Sequence, residues 1–299
     1  HGRSVLPLMT GYACAIPGIM ATRTIDSWKE RLVTILILPL MSCSARLPVY
    51  ALMIGAFIPP VRFFGIIDAQ GLTMVVMYFL GTVTALILAV IFSRWIKVEG
   101  KSTFIMEMPP YRVPLMRSVF RQVYLRVKQF VTDAGKIILV ISVVLWVLAS
   151  FPKTDNSQNI KTSYAGKIGK VIEPIIRPLG FDWKIGISLL TSFAAREVMV
   201  STLATIYNVE SDDGNIVKLT DALQQDKNPE TGKPAYTVLT GISIMVFFVF
   251  AAQCMATFAV VRRETNTWKW PLFMIFYMTG LAYVMSFIVY QGGLLIGVG

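Results

Sequence analysis

The chain has 299 residues, 55% of them hydrophobic and only 15% charged, with a net charge of +11. Soluble globular domains carry about a quarter charged residues, so an ordinary water-soluble domain is excluded and the long apolar blocks read as membrane helices. The positive charge is assigned to cytoplasmic loops, where Lys and Arg collect, and not to nucleic-acid binding; three cysteines and a lone His1 provide neither a disulfide framework nor a histidine zinc site.

The chain opens on His1 without a signal-peptide pattern and is expected to belong to a longer protein, with the small residues after Gln291 as its natural end. About 20 apolar residues are needed to cross the hydrocarbon core. Val5 to Ala21 is apolar but interrupted by Gly11, Pro17 and Gly18, and the charged loop from Arg23 to Arg31 follows. Leu32 to Ile58 is a span broken near Pro39 and Pro48, and Leu72 to Phe92 is an uninterrupted one.

A basic segment runs from Arg94 to Lys136. Within it Leu115, Val119, Phe120, Val123, Val127, Phe130 and Val131 recur at helical spacing, which predicts an amphipathic helix on the membrane surface. Ile137 to Phe151 is the next apolar span. Ile185 to Tyr207 is apolar except for Arg196-Glu197, and an acidic loop follows from Glu210 to Lys233. Tyr236 to Val261 and Pro271 to Tyr290 complete the series around the basic turn Arg262-Arg263. The expected organisation is a first repeat over 1–95, a cytoplasmic linker over 96–136 and a second repeat over 137–299.

The positive-inside rule places the loops at Arg23–Arg31, Arg94–Lys136 and Arg262–Lys269 in the cytoplasm and the acidic loop outside. The span parity then fails between Ile137 and Tyr207, so one segment in that region is expected to be re-entrant.

Thr10-Gly11-Tyr12-Ala13 matches Thr191-Ser192-Phe193-Ala194, and the broken span holding Cys43 matches the span holding Cys254. The two halves have opposite predicted orientation. Inverted repeats with interrupted helices place a binding site where the interruptions meet. The fold class expected is therefore all-α: a polytopic transmembrane helical bundle with two inverted, gate-type repeats.

Interrupting a helix inside the bilayer frees carbonyls that protein, water or an ion must satisfy. Pro17 and Pro39 mark such places, and Cys14 and Cys43 stand beside them. Thiolates with nearby carbonyls suit a borderline-soft divalent metal such as Fe²⁺. Each cysteine alone reads equally as a small buried hydrophobe. Arg196 and Glu197 within an apolar span point to a cavity or to partners: Glu197 as a carboxylate for a cation and Arg196 as its balance, or both as structural ion-pair members. Neighbours on a helix point about 100° apart, so the two are poor partners for each other. Arg46 reads the same two ways, as a gate charge or a structural ion-pair member, with capping of the carbonyls freed at its break a further role. Met9, Met20, Met41, Met199 and Met255 offer thioethers or serve as packing. No Walker-type loop, histidine pair or Gly-x-Ser-x-Gly elbow supports hydrolase chemistry.

Gly11-Tyr12-Ala13-Cys14-Ala15-Ile16-Pro17-Gly18-Ile19-Met20-Ala21-Thr22-Arg23 resembles the first gate motif of FeoB-type ferrous iron transporters. Pro39-Leu40-Met41-Ser42-Cys43-Ser44-Ala45-Arg46-Leu47-Pro48 is similar to the second stretch of that gate. Phe104 to Pro114 resembles the family's intervening domain, Ala194-Ala195-Arg196-Glu197-Val198 the second gate, and Cys254 falls on the last gate cysteine. Ala15 departs from the Asn frequent in the family, so no amide ligand is expected there.

The resemblance implies multi-pass uptake of Fe²⁺, as transported substrate, across the bacterial inner membrane. Cys14, Cys43, Cys254 and Glu197 are the implied metal contacts, and Pro17, Pro39, Met41, Ser42, Arg46 and Arg196 line the gate. GTP and Mg²⁺ enter only through a GTP-binding domain absent from this chain, which itself is no enzyme. Implied partners are the lipid bilayer, ferrous iron, that GTP-binding domain and small cytoplasmic proteins of the same system, with homo-oligomer formation open. A nucleoside-like or other small solute, or a non-transporting membrane scaffold, are the rival readings.

Overall fold

A computed structural model describes residues 2–63, 67–96, 115–150, 164–193, 196–207, 216–226, 235–252 and 254–297. The motif at Phe104–Pro114 and the loop residues 208–215 and 227–234 lie outside the described residues. The described part is helical apart from a two-stranded antiparallel pair, β1 (Arg62–Phe63) with β2 (Ile67–Asp68).

Among the described residues, four helical segments are long and apolar enough to cross a membrane: Trp28–Phe57, Ala69–Trp95, Val238–Thr265 and Lys269–Ile296. The second and fourth are the continuous helices α5 (Ala69–Trp95) and α13 (Lys269–Ile296). The first is interrupted: α3 (Trp28–Ile37) ends in a 3₁₀ turn over Leu38–Leu40, and a second 3₁₀ turn over Ser44–Arg46 leads into α4 (Leu47–Phe57). The third divides into α11 (Val238–Phe250) and α12 (Met255–Thr265). Pro48 does not break its span as expected. It stands at the start of α4, where a missing N–H leaves nothing unpaired.

The two remaining gate segments are hairpins, not spans. α1 (Gly2–Gly11) and α2 (Ala15–Ala21) pack side by side, and a Cβ at Gly18 would lie 2.9 Å from the Pro7 carbonyl. The interruption falls at Tyr12–Cys14, while Pro17 sits harmlessly in the first turn of α2. α8 (Trp183–Ser192) and α9 (Val198–Ile206) fold back likewise. Lys184 at one end donates to the Tyr207 hydroxyl at the other, 3.2 Å, and the Thr191 and Thr202 hydroxyls pair at 2.8 Å. α8–α9 thus folds back on itself within the region where the span count fails.

The hairpins enter from opposite sides. Arg23, just beyond α2, and Arg31, in the first turn of α3, share Glu264, whereas Asp182, the cap of α8, accepts from Tyr236 just before α11. Their tips therefore meet within the helical bundle, beside the interruptions of α3–α4 and α11–α12. Gly81 admits α5 to this point: a Cβ there would meet the Leu40 carbonyl at 3.0 Å and Ser42 Oγ at 3.1 Å.

α6 (Met116–Ser150) runs without interruption through the boundary expected at 136. It joins the amphipathic stretch and the following apolar segment in one helix. Leu115, Val119, Phe120, Val123, Val127 and Val131 are exposed along it, so that face is not packed on this chain. α7 (Tyr164–Ile176) packs on α8, and α10 (Ile216–Gln225) packs on α4.

Candidate functional site: four helix interruptions meeting at three cysteines

Each cysteine occupies the same local position. Cys14 precedes α2, Cys43 precedes the 3₁₀ turn into α4, and Cys254 precedes α12, all in extended backbone. The cause is local: a half-helix must restart after each interruption, and its capping residue leaves the helical region while its side chain stays at the opening. None of the three side chains caps the N–H groups behind it. All three are free thiols of intermediate exposure.

The interruptions are stitched into a ring. Ser44 Oγ donates to the Ala13 carbonyl at 2.9 Å, tying the first hairpin tip to the break in α3–α4. Arg196 Nη1 reaches Cys43 Sγ at 3.3 Å, and its Nη2 reaches the Ala251 carbonyl at 3.4 Å. The Met255 N–H donates to the Phe193 carbonyl at 3.1 Å, joining the second hairpin tip to the break in α11–α12. Cys14 and Cys254 close the circle by packing with Met20 against Ile16 and Ala256. Cys14 also lies within electrostatic reach of Cys43, Cys254 and Arg196.

Arg46 is fully buried. Its Nη1 donates to Leu40 O at 3.2 Å and Met41 O at 3.0 Å, and its Nη2 to Pro39 O at 3.1 Å. These are the carbonyls released where α3 ends. Arg196, 5% exposed, does the same at the end of α11. A helix C-terminus carries a partial negative charge of about half a unit, so each guanidinium has part of its charge offset by backbone. Neither therefore needs a carboxylate to remain in the core.

Among the described residues, Ser42 Oγ, the Tyr50 hydroxyl and the Nε atoms of Arg46 and Arg196 are buried without a hydrogen-bond partner. Ser42 and Tyr50 are neighbours but not at hydrogen-bond geometry. Unpaired polar groups are costly in a dry apolar core. Four around one cysteine mark a polar spot at the centre of the membrane domain.

Glu197 is exposed while Arg196 is buried, as their angular separation requires. Among the described residues no three His, Cys, Asp or Glu side chains stand close enough to hold one metal ion together. Met41 and Pro39 are buried beside the break, and Pro17 is half-buried below Cys14. Met20, not Met41, joins Cys14 and Cys254. Ser44 was missed in the sequence reading because its role depends on which carbonyl faces it across 31 positions of sequence.

A family model described as "Nucleoside recognition", the Gate family, matches residues 1–57 and 131–268. A second, described as "Ferrous iron transport protein B C terminus", matches residues 74–126 between them. The chain belongs to the FeoB family. The Fe(2+) transporter FeoB of Leptospira biflexa is 48% identical over 99% of this chain and 44% of its own length. A fusion of Fe(2+) transport protein A with FeoB from Porphyromonas gingivalis is 37% identical over 99% of this chain and 38% of its own length. FeoB of Staphylococcus aureus is 36% identical over 98% and 41%. The chain thus spans less than half the length of these FeoB relatives. No solved structure matches it. The Gate match covers both hairpins and both interrupted spans, so all three cysteines lie inside it.

Proposed function

We propose that this chain is the Fe²⁺-conducting part of a transporter in the bacterial inner membrane. The observation that carries this reading is the meeting of four helix interruptions at three free thiols. Thiol and carbonyl donors suit a borderline-soft cation, and the unpaired hydroxyl and guanidinium groups around Cys43 suit a hydrated path. Cys14, Cys43 and Cys254 bind the ion in succession rather than as one cage, which accords with their separate positions. Arg196 leaves Cys43 when the ion takes that sulfur. Glu197, on the exposed side of the second hairpin, acts outside the thiol ring as an attracting charge.

The FeoB names of the relatives favour iron over the nucleoside of the Gate description. Their extra length leaves room for a GTP-binding domain, through which GTP and Mg²⁺ act and on which small cytoplasmic partner proteins dock. In this reading the chain conducts and does not hydrolyse.

The test is radiolabelled Fe²⁺ uptake, under reducing conditions, by cells lacking their own importers and expressing the full-length protein. Cys14→Ser and Cys43→Ser each reduce uptake at least about tenfold, the effect of losing roughly 1.4 kcal/mol of ion binding, with unchanged membrane insertion. Full uptake by both variants removes the thiols from the path. No uptake by the parent protein returns the scaffold reading.

A further inference from the structure

Two short half-helices, α2 and α12, pack along each other in parallel. Their first ends carry Cys14 and Cys254, which share one apolar cluster. Their far ends carry Arg23 and Glu264. Nine positions separate Cys14 from Arg23 and ten separate Cys254 from Glu264. At 1.5 Å per residue this is about 15 Å, half the thickness of a hydrocarbon core. The thiols are then near mid-membrane and the far ends at the face that the basic loops assign to the cytoplasm.

At that face the two halves of the chain are clamped. Arg23 donates through Nε to both Glu264 oxygens, 3.1 and 3.0 Å, and through Nη2 to Oε1 at 2.5 Å. Arg31, at the start of α3, donates through Nη2 to Oε2 at 2.6 Å. The Glu264 side chain is only 3% exposed, while Arg23 is 49% and Arg31 22% exposed. A carboxylate removed from water in this way depends on its partners. Both partners come from the first half of the chain and the carboxylate from the second. The first hairpin cannot swing away from α12 while all these bonds stand.

We propose that Glu264, with Arg23 and Arg31, forms the cytoplasmic gate of the path, closed here by a charge clamp between the first hairpin and α12. Opening means parting α2 from α12, which exposes Cys14 and Cys254 to the cytoplasm along the interface between them. The opposite hairpin is fastened separately, by Lys184, Tyr207 and Asp226 at the outer end of α8–α9. The two sides can therefore open independently.

This inference rests on the path reading, but its test does not need iron. In inside-out membrane vesicles holding the full-length protein, Cys14 is labelled with a membrane-impermeant thiol reagent and its modification read by peptide mass spectrometry. Arg23→Gln, at a half-exposed position that leaves folding intact, and Glu264→Gln each raise the Cys14 labelling rate about tenfold. The charge exchange Arg23→Glu with Glu264→Arg brings it back toward the parent rate. Right-side-out vesicles show no comparable rise. Unchanged labelling in both single variants overturns the gate, as does an equal rise from both faces, which is general loosening. Loss of iron uptake in Cys14→Ser with unaltered labelling here would leave the path standing and remove only the clamp.

Discussion

The two pairs of spanning segments in this chain obey different rules. The windows of Trp28–Phe57 and Val238–Thr265 are 72% and 76% buried inside the protein, and both are interrupted near their middles. Ala69–Trp95 and Lys269–Ile296 are each 22% buried, and both are unbroken helices. Lipid offers no hydrogen bonds, so a helix facing it must satisfy every backbone group internally. A helix surrounded by protein can release carbonyls to Arg46 or Arg196, and those carbonyls become part of a polar centre. Burial is thus the condition that allows these spans to carry a site at all.

The largest test of this contrast is Arg46→Ala. Three carbonyls lose a charge-assisted donor together, and the protein is expected to lose about 3–5 kcal/mol of stability, measured as a lowered unfolding transition in detergent. An effect below about 1 kcal/mol would mean that the break does not depend on its guanidinium. Leu86→Pro transfers an interruption to α5, at a position 54% exposed. The Thr82 carbonyl loses its intrahelical donor, and a loss of about 3 kcal/mol is expected. Near-neutral behaviour in the same assay would show that lipid-facing helices here tolerate breaks as well as buried ones.

The smallest effect concerns the start of α8, where Asp182 accepts from the Ile185 N–H and from the Tyr236 hydroxyl. Burial raises its carboxyl above the ordinary range, against the opposing pull of these hydrogen bonds. The folded protein therefore holds this proton more tightly than the unfolded chain. That contribution is complete below the ordinary carboxylate range and is lost as pH rises through the folded value. Asp182→Asn keeps an acceptor for the cap and abolishes the titration. Its melting temperature should fall less steeply than the parent's as pH rises through the mildly acidic range. Identical slopes would assign the parent's pH dependence to another group.

Much of this was legible beforehand, for identifiable reasons. Apolar blocks of about 20 residues declare membrane segments because the bilayer thickness is fixed. The capping role of Arg46 could be anticipated because it acts within seven residues of its own position. Proline was a poorer guide. Pro17 and Pro48 lie in first turns, which tolerate them, so they stand near the interruptions without causing them. The folded-back course of α8–α9 surfaced only as a failure of the span count, since its proof is a contact between Lys184 and Tyr207.

The sequence by itself determined a helical membrane chain and two interrupted segments with Cys14 and Cys43 beside them, which follow from local composition and helix geometry; the breaks between α8 and α9 and between α11 and α12 came from the structure. Only the tertiary structure decided which interruptions touch. It set Arg196 against Cys43, left Glu197 exposed and seated Glu264 between Arg23 and Arg31. Those pairings join residues 153 to 241 positions apart. No periodicity encodes them, because they arise from how hairpins and half-helices pack once the bilayer has forced their polar ends together.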